Sequence, residues 1–151
     1  MTKIRDPLPA DELAWRKLWD GYNRFYDAVI ADKVTAATWR RILDPASPVF
    51  ARLAERNGMV IGFTICVLHE GTWSIEPVCY LEDLFVGEDH RSAGIGRALF
   101  ADLIELGRQR GWARLYWHTR TDNVIARRLY DCFVKADNFV RYRLPLPYSK
   151  L

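Results

Sequence analysis

Cysteine and histidine are scarce in this chain, and neither is clustered. The three cysteines, Cys66, Cys79 and Cys132, are odd in number and form no Cys-x-x-Cys pair, which argues against a disulfide framework or a zinc ribbon. Cys66 and Cys79 sit in apolar runs and read as small buried hydrophobes. His69, His90 and His118 are scattered, so no metal site is expected. Long apolar runs are missing too. None approaches the roughly 20 residues that cross a bilayer, and Met1-Thr2-Lys3-Ile4-Arg5-Asp6-Pro7 has no apolar signal region. These absences predict a soluble cytoplasmic protein without a membrane partner. A dominant charge is also absent. With 22 basic and 19 acidic residues the net charge is +3, too mild by itself to call for nucleic acid. No repeat or low-complexity tract is visible.

Core material is ample. Half of the 151 residues are hydrophobic, enough for one full domain over 1–151. Thr2 to Arg5 alternates as a short strand, which Pro7 and Pro9 end. Asp11 is the helix N-cap, or Pro9-Ala10 opens the helix. Leu13, Trp15, Leu18, Trp19, Tyr22, Phe25, Tyr26 and Val29 follow at helical spacing, with Gly21 a place to bend or split. A second helix is expected over 35–43, stopping before Pro45. Val49 to Glu55 and Met59 to Leu68 are β-rich runs joined at Asn57-Gly58, a strong hairpin signal.

A turn at Glu70-Gly71-Thr72 leads past Trp73 to a third strand from Cys79 to Val86. Ile95, Leu99, Leu103 and Leu106 mark a helix from 95 to 110, stopped by Gly111. Ala113 to His118 is the next strand. It should run parallel to 79–86, because a helical crossover joins them. Thr121, Asp122 or Asn123 caps a last helix carrying Ile125, Ala126, Leu129, Tyr130 and Phe133. Phe139 to Leu144 alternates as a final strand. The order β-α-α-β-β-β-α-β-α-β predicts an α/β (α+β) fold: a mixed antiparallel and parallel sheet of about six to seven strands with helices on both faces.

The chain is organised around 79–110. The strand ends in a polar turn, Gly87 to His90. The loop Arg91-Ser92-Ala93-Gly94-Ile95-Gly96-Arg97 then opens the helix. A helix's first turn has amide N–H groups with no intrahelical partner, and the macrodipole adds positive character there. Gly94 and Gly96 lack a Cβ, so a phosphate can approach the backbone, and Arg91 and Arg97 add full charges. A phosphorylated ligand is predicted. A P-loop would need Lys-Ser or Lys-Thr where Arg97-Ala98 stands. A dinucleotide fingerprint would need a small residue at Leu99.

In that setting Arg91-x-x-Gly94-x-Gly96 resembles the pyrophosphate-binding signature of the GCN5-related N-acetyltransferase (GNAT) superfamily. Tyr80-Leu81-Glu82-Asp83-Leu84-Phe85-Val86 is similar to its spermidine/spermine and thialysine branch. Tyr116-Trp117-His118-Thr119, Asn123-x-x-Ala126-x-x-Leu129-Tyr130-Asp131 and Phe139-Val140-Arg141-Tyr142-Arg143 resemble the yeast histone/polyamine acetyltransferase-like group. The resemblance implies the GNAT fold, acetyl-CoA as cofactor and, as in many relatives, a homodimer. It implies direct attack in a ternary complex by the primary amine of a small cationic substrate, whether polyamine, amino acid or thialysine-like.

The resemblance also assigns residues. Leu84, Phe85 and Val86 would pair with the pantetheine arm, with a backbone N–H near Leu84 facing the thioester oxygen. Arg91, Ser92, Ala93, Gly94, Ile95, Gly96 and Arg97 would cradle the pyrophosphate. Asn123 and Ala126 fall at the pantetheine end. Tyr130 matches the tyrosine that protonates the thiolate, and Glu82 the general base that acts through water. Tyr22, Tyr26, Trp73, Tyr116, Trp117 and His118, with Glu82, would line the acceptor pocket.

The bland readings stand beside these. Trp15 and Trp19 read as core, Tyr130 could be a core tyrosine, and Trp73 could anchor its loop. Arg127 and Arg128 are either solvated or phosphate contacts. Glu82 and Asp83 are neighbours in an apolar strand, where successive side chains point to opposite faces, so they are not read as a dyad. Burying either ion without a partner is costly. Asp83 is therefore expected to pair with a basic side chain while Glu82 lines a polar pocket. After Tyr130 the chain runs Cys132 to Phe139, where many relatives have Gly-Phe. The alternatives are a protein-lysine acceptor, or a non-catalytic acyl-CoA sensor on the same fold.

Overall fold

The tryptophans at helical spacing meet one another over a sheet. In the computed structural model, which describes residues 1–147, Trp15 and Trp19 lie on α1 (Glu12–Phe25) and Trp39 on α2 (Asp32–Leu43). Their rings stack, Trp15 on Trp19 at 5.5 Å and on Trp39 at 5.0 Å between centroids. Beneath them lie Ala51 and Leu53 of β2 (Val49–Arg56), Phe63 and Ile65 of β3 (Met59–His69), and Phe85 of β4 (Val78–Val86). Removing each of the large apolar side chains among them from water is worth about 1.5–3 kcal/mol. Trp15 and Trp19 are core residues, as expected.

Among the described residues five strands, against the six to seven expected, form one sheet in the order β1-β2-β3-β4-β5, with β1 (Lys3–Arg5) at one edge and β5 (Arg114–Trp117) at the other. Every pairing is antiparallel except β4 with β5. The β2–β3 turn is the expected Asn-Gly hairpin, with both residues at positive φ, 53° and 74°, which this turn type demands. The opposite face is covered by α3 (Ile95–Arg110). Ile95 and Leu99 pack on Ala54 and Ile61, and Arg52 clasps Asp102 at 2.7 Å. Gly111, at φ 69°, ends α3. Among the described residues no helix is long and apolar enough to cross a membrane.

Three further sequence expectations need correcting. The run Phe139 to Leu144 is not a strand. Its apolar side chains stay exposed, Phe139 at 80 % and Tyr142 at 93 %, and alternation cannot make a strand without a ladder partner. The described residues therefore give β-α-α-β-β-β-α-β-α. Gly21 neither bends nor splits α1. Instead the helix stops at Phe25, Asp27 takes a left-handed φ of 53°, and Val29 is left in solvent. The last helix, α4 (Val124–Tyr130), ends before Phe133. By their internal contacts the residues fall into two compact units, Met1–His118 and a second from Thr119 onward.

Candidate active site

The first unit carries a β-bulge where two acidic residues meet. Ile65 pairs with Asp83 and its neighbour Cys66 with Leu81, so Glu82 is an extra residue in β4. A bulge leaves its extra residue unpaired and re-aims the side chains around it. The β4–β5 ladder ends at Leu81–Trp117. Among the described residues, Glu82 to Val86 therefore has no strand on that side, and its backbone groups there are open to an extended partner.

Glu82 is exposed and Asp83 is 9 % exposed. As neighbours along β4, the two carboxyl groups feel each other's charge. Burial, reinforced by Glu82, pushes the Asp83 carboxyl up to about 7, while a hydrogen bond from the Tyr22 hydroxyl pulls the other way. Tyr22 is itself raised, first by burial and then by the Asp83 charge, so it stays protonated and donates. Asp83 thus pairs with a phenol and not with the basic side chain expected.

The glycine loop follows directly. Gly94 is the N-cap of α3 at φ 76°, with no side chain capping the helix and no acidic residue in the first turn. A Cβ on Gly94 would meet nothing within 4 Å. Ser92 also holds a positive φ of 62°. Arg91 is exposed. Its Nε donates to the Val86 carbonyl at 3.3 Å, and its guanidinium lies over Phe85 at 5.5 Å and Phe25 at 5.9 Å. Ser92, Ala93 and Arg97 are exposed and Gly96 is half-buried, while the Ile95 side chain points into the core. Amides, macrodipole and two guanidinium-bearing residues at one helix start suit a diphosphate such as that of coenzyme A. Leu84 and Val86 are half-buried, and the Phe85 ring is buried against Tyr22 and Phe63.

The residues assigned to the acceptor divide between the two faces of the sheet. Tyr22 stacks on Trp19 at 5.4 Å and meets Tyr26 at 4.9 Å. Tyr116 stacks on Tyr80 at 5.0 Å, and the exposed His118 has Nδ1 3.3 Å from the Tyr80 hydroxyl. Trp117 turns the opposite way and lies edge-on to Phe100 of α3 at 4.7 Å. Trp73 stands in the β3–β4 loop, 87 % exposed, and so does not anchor that loop. Sequence reasoning passed over two members of this region, His69 and Tyr80. His69 shares a face with Phe63 and Ile65 by even spacing, a signal that was readable.

In the second unit Asn123 caps α4. Its Oδ1 accepts from the Ala126 amide at 3.4 Å, and its Nδ2 donates to Thr119 at 3.1 Å. Ala126 is half-buried on the same helix, and Tyr130, also half-buried, is the helix's last residue. Arg127 donates to the Thr121 carbonyl at 2.8 Å, which is a structural use, and Arg128 is exposed. Cys66 and Cys79 are buried free thiols, as expected, and Cys132 is exposed. Among the described residues no group of His, Cys, Asp or Glu could hold a metal ion.

The sequence pattern of the Acetyltransferase (GNAT) family matches residues 15–133. The chain is 36 % identical over 137 residues to D-amino-acid N-acetyltransferase HPA3 of Saccharomyces cerevisiae, covering 89 % of this chain and 85 % of the relative. It is 30 % identical over 152 residues to an aminoglycoside N(6')-acetyltransferase type 1 of Stenotrophomonas maltophilia, covering 97 % and 95 %. Among solved structures, that of AAC(6')-Iy in complex with a bisubstrate analogue superposes with a TM-score of 0.81 at 23 % identity, over 96 % of this chain and 99 % of that one.

Proposed function

The chain belongs to the acetyltransferase (GNAT) family and is an acetyl-CoA-dependent N-acetyltransferase. From that premise we propose that its acceptor is the primary amine of a small cationic molecule, with Glu82 taking the amine's proton and Tyr130 protonating the departing sulfur. The supporting observation is the bulge, which sets an exposed carboxylate at the head of a half-strand with open backbone groups that runs into a glycine-capped helix start.

Acetyl-CoA supplies the acyl group as a thioester. The rest is the chain's own work. The opening amides of α3 with Arg91 and Arg97 hold the diphosphate. The open edge from Glu82 to Val86 pairs with the extended arm, and an N–H near Leu84 faces the oxygen on which charge develops. An alkylammonium with a pKa of ~10.4 has no lone pair at neutral pH, so Glu82 must accept a proton, directly or through water. Glu82 beside Asp83 also draws cations. D-amino acids and aminoglycosides, named for two relatives, are amines that such a site can bind, as are polyamines and thialysine-like compounds.

The test is release of free thiol from acetyl-CoA against a panel of polyamines, L- and D-amino acids and aminoglycosides. Glu82→Gln should lower kcat about 100-fold at pH 7, with the deficit shrinking as the pH approaches the amine's own pKa. Tyr130→Phe should lower kcat and leave the KM for acetyl-CoA unchanged. No thiol release with any amine, or full rate in Glu82→Gln, would overturn the assignment.

A further inference from the structure

The face that carries Ile65 and Asp83 continues past the bulge into a cluster that the proton transfers above do not use. The extra residue of the bulge belongs to β4, so β3 runs unbroken from Phe63 to His69. His69 therefore shares the face of Phe63 and Ile65. Tyr80, opposite Val67, faces the same way, and Tyr116 lies opposite Tyr80 across the parallel ladder.

The hydrogen bonds fix a polarity. His69 Nδ1 is 2.8 Å from the Glu70 carbonyl. A carbonyl can only accept, so Nδ1 carries the proton. In the tautomer with its single proton on Nδ1, Nε2 is an acceptor, and the Tyr116 hydroxyl 2.9 Å away donates to it. The Tyr116 oxygen is left with lone pairs to offer and its proton committed. The Tyr80 ring stacks beside it. The Arg114 guanidinium lies 5.5 Å from the centre of the Tyr116 ring and has no carboxylate partner among the described residues.

Two further facts narrow the ligand. Val78, opposite His69, precedes Glu82 by four residues, about 13 Å along a strand that rises about 3.3 Å per residue. A second ammonium arriving there would meet the Arg114 charge, whereas a hydroxyl would not. We propose that His69, Tyr80 and Tyr116 form a distal acceptor subsite for a hydroxyl carried on the order of 10 Å from the reacting amine, with His69 the positioning residue that keeps the Tyr116 oxygen an acceptor. The acceptor is then an amino alcohol or polyhydroxylated amine of extended shape. This rests on the reading of Glu82 as the place of the reacting amine.

Three eight-carbon amines separate the possibilities: octylamine, aminooctanol and diaminooctane. Steady-state acetylation of each is measured with the wild type, Tyr116→Phe, His69→Phe, His69→Gln and the double variant His69→Phe/Tyr116→Phe. In the wild type the KM for aminooctanol should be about tenfold below the other two, the effect of one hydrogen bond. Tyr116→Phe and His69→Phe should each erase that advantage, raising the KM for aminooctanol to that for octylamine. The double variant should be no worse than either single one. His69→Gln should retain the advantage, because its amide can donate to the Glu70 carbonyl and accept from Tyr116. Equal KM for all three amines in the wild type, or equal losses on octylamine and aminooctanol in the variants, overturns the subsite. If none of the three is acetylated while acetyl-CoA still raises Tm, the placing of the amine at Glu82 fails, and the subsite with it.

Discussion

Asp83 sets a pH dependence that can be worked out at a single residue. Its carboxyl titrates near 7 in the folded chain against an ordinary 3.8, so the folded state holds the proton more tightly than the unfolded one. The contribution of Asp83 to stability is then greatest below pH 4, falls as the pH rises toward 7, and levels off above it, a loss of up to ~4 kcal/mol. Asn at this position keeps an acceptor for the Tyr22 hydroxyl and carries no charge. Asp83→Asn should therefore raise Tm at pH 8, with the two proteins converging at pH 4, as read by thermal melts across that range. Equal shifts at both pH values would remove the buried charge as the cause. The sequence marked Asp83 as a costly ion needing a partner. It could not name Tyr22, because that pairing depends on how α1 crosses β4.

Two glycines separate local conformation from packing at the level of elements. In the β2–β3 hairpin, Gly58 has φ 74° and open space around its Cβ position. Gly58→Ala should destabilise by about 1 kcal/mol through backbone strain alone and leave the kinetics unchanged. On β3, a Cβ at Gly62 would sit 2.9 Å from the Phe85 carbonyl oxygen. Gly62→Ala must therefore shift the backbone of β4 in the half-strand after the bulge. It should cost about 1–3 kcal/mol and also raise the KM for acetyl-CoA. Urea melts and steady-state kinetics of the two variants check both. The hairpin and α3 were legible because their signals are local: Asn-Gly, then apolar residues every three or four positions between two left-handed glycines. The bulge was not, since Glu82 is extra only by reference to its pairing with β3. The run Phe139 to Leu144 misled for a related reason, because alternation says which side chains would share a face and is silent on whether a neighbouring strand is present.

For the whole molecule, binding and stability are linked. A ligand held at the α3 start stabilises the folded chain, by about 2.7 kcal/mol at 100 times its Kd. Acetyl-CoA should raise Tm in a concentration-dependent way, whereas NAD and ATP should not, as followed by scanning calorimetry. Equal shifts with ATP would mean that the site reads phosphate and ignores the acyl arm. The stacked indoles of Trp15, Trp19 and Trp39 bear on how such binding can be watched. Trp19 lies 5.4 Å from Tyr22, and Tyr22 bonds to the carboxyl beside Glu82. An amine settling against that acidic pair changes the local field at the phenol that stacks on a sheltered chromophore. Intrinsic fluorescence should then report acceptor occupancy in real time, with no dye and no coupled assay.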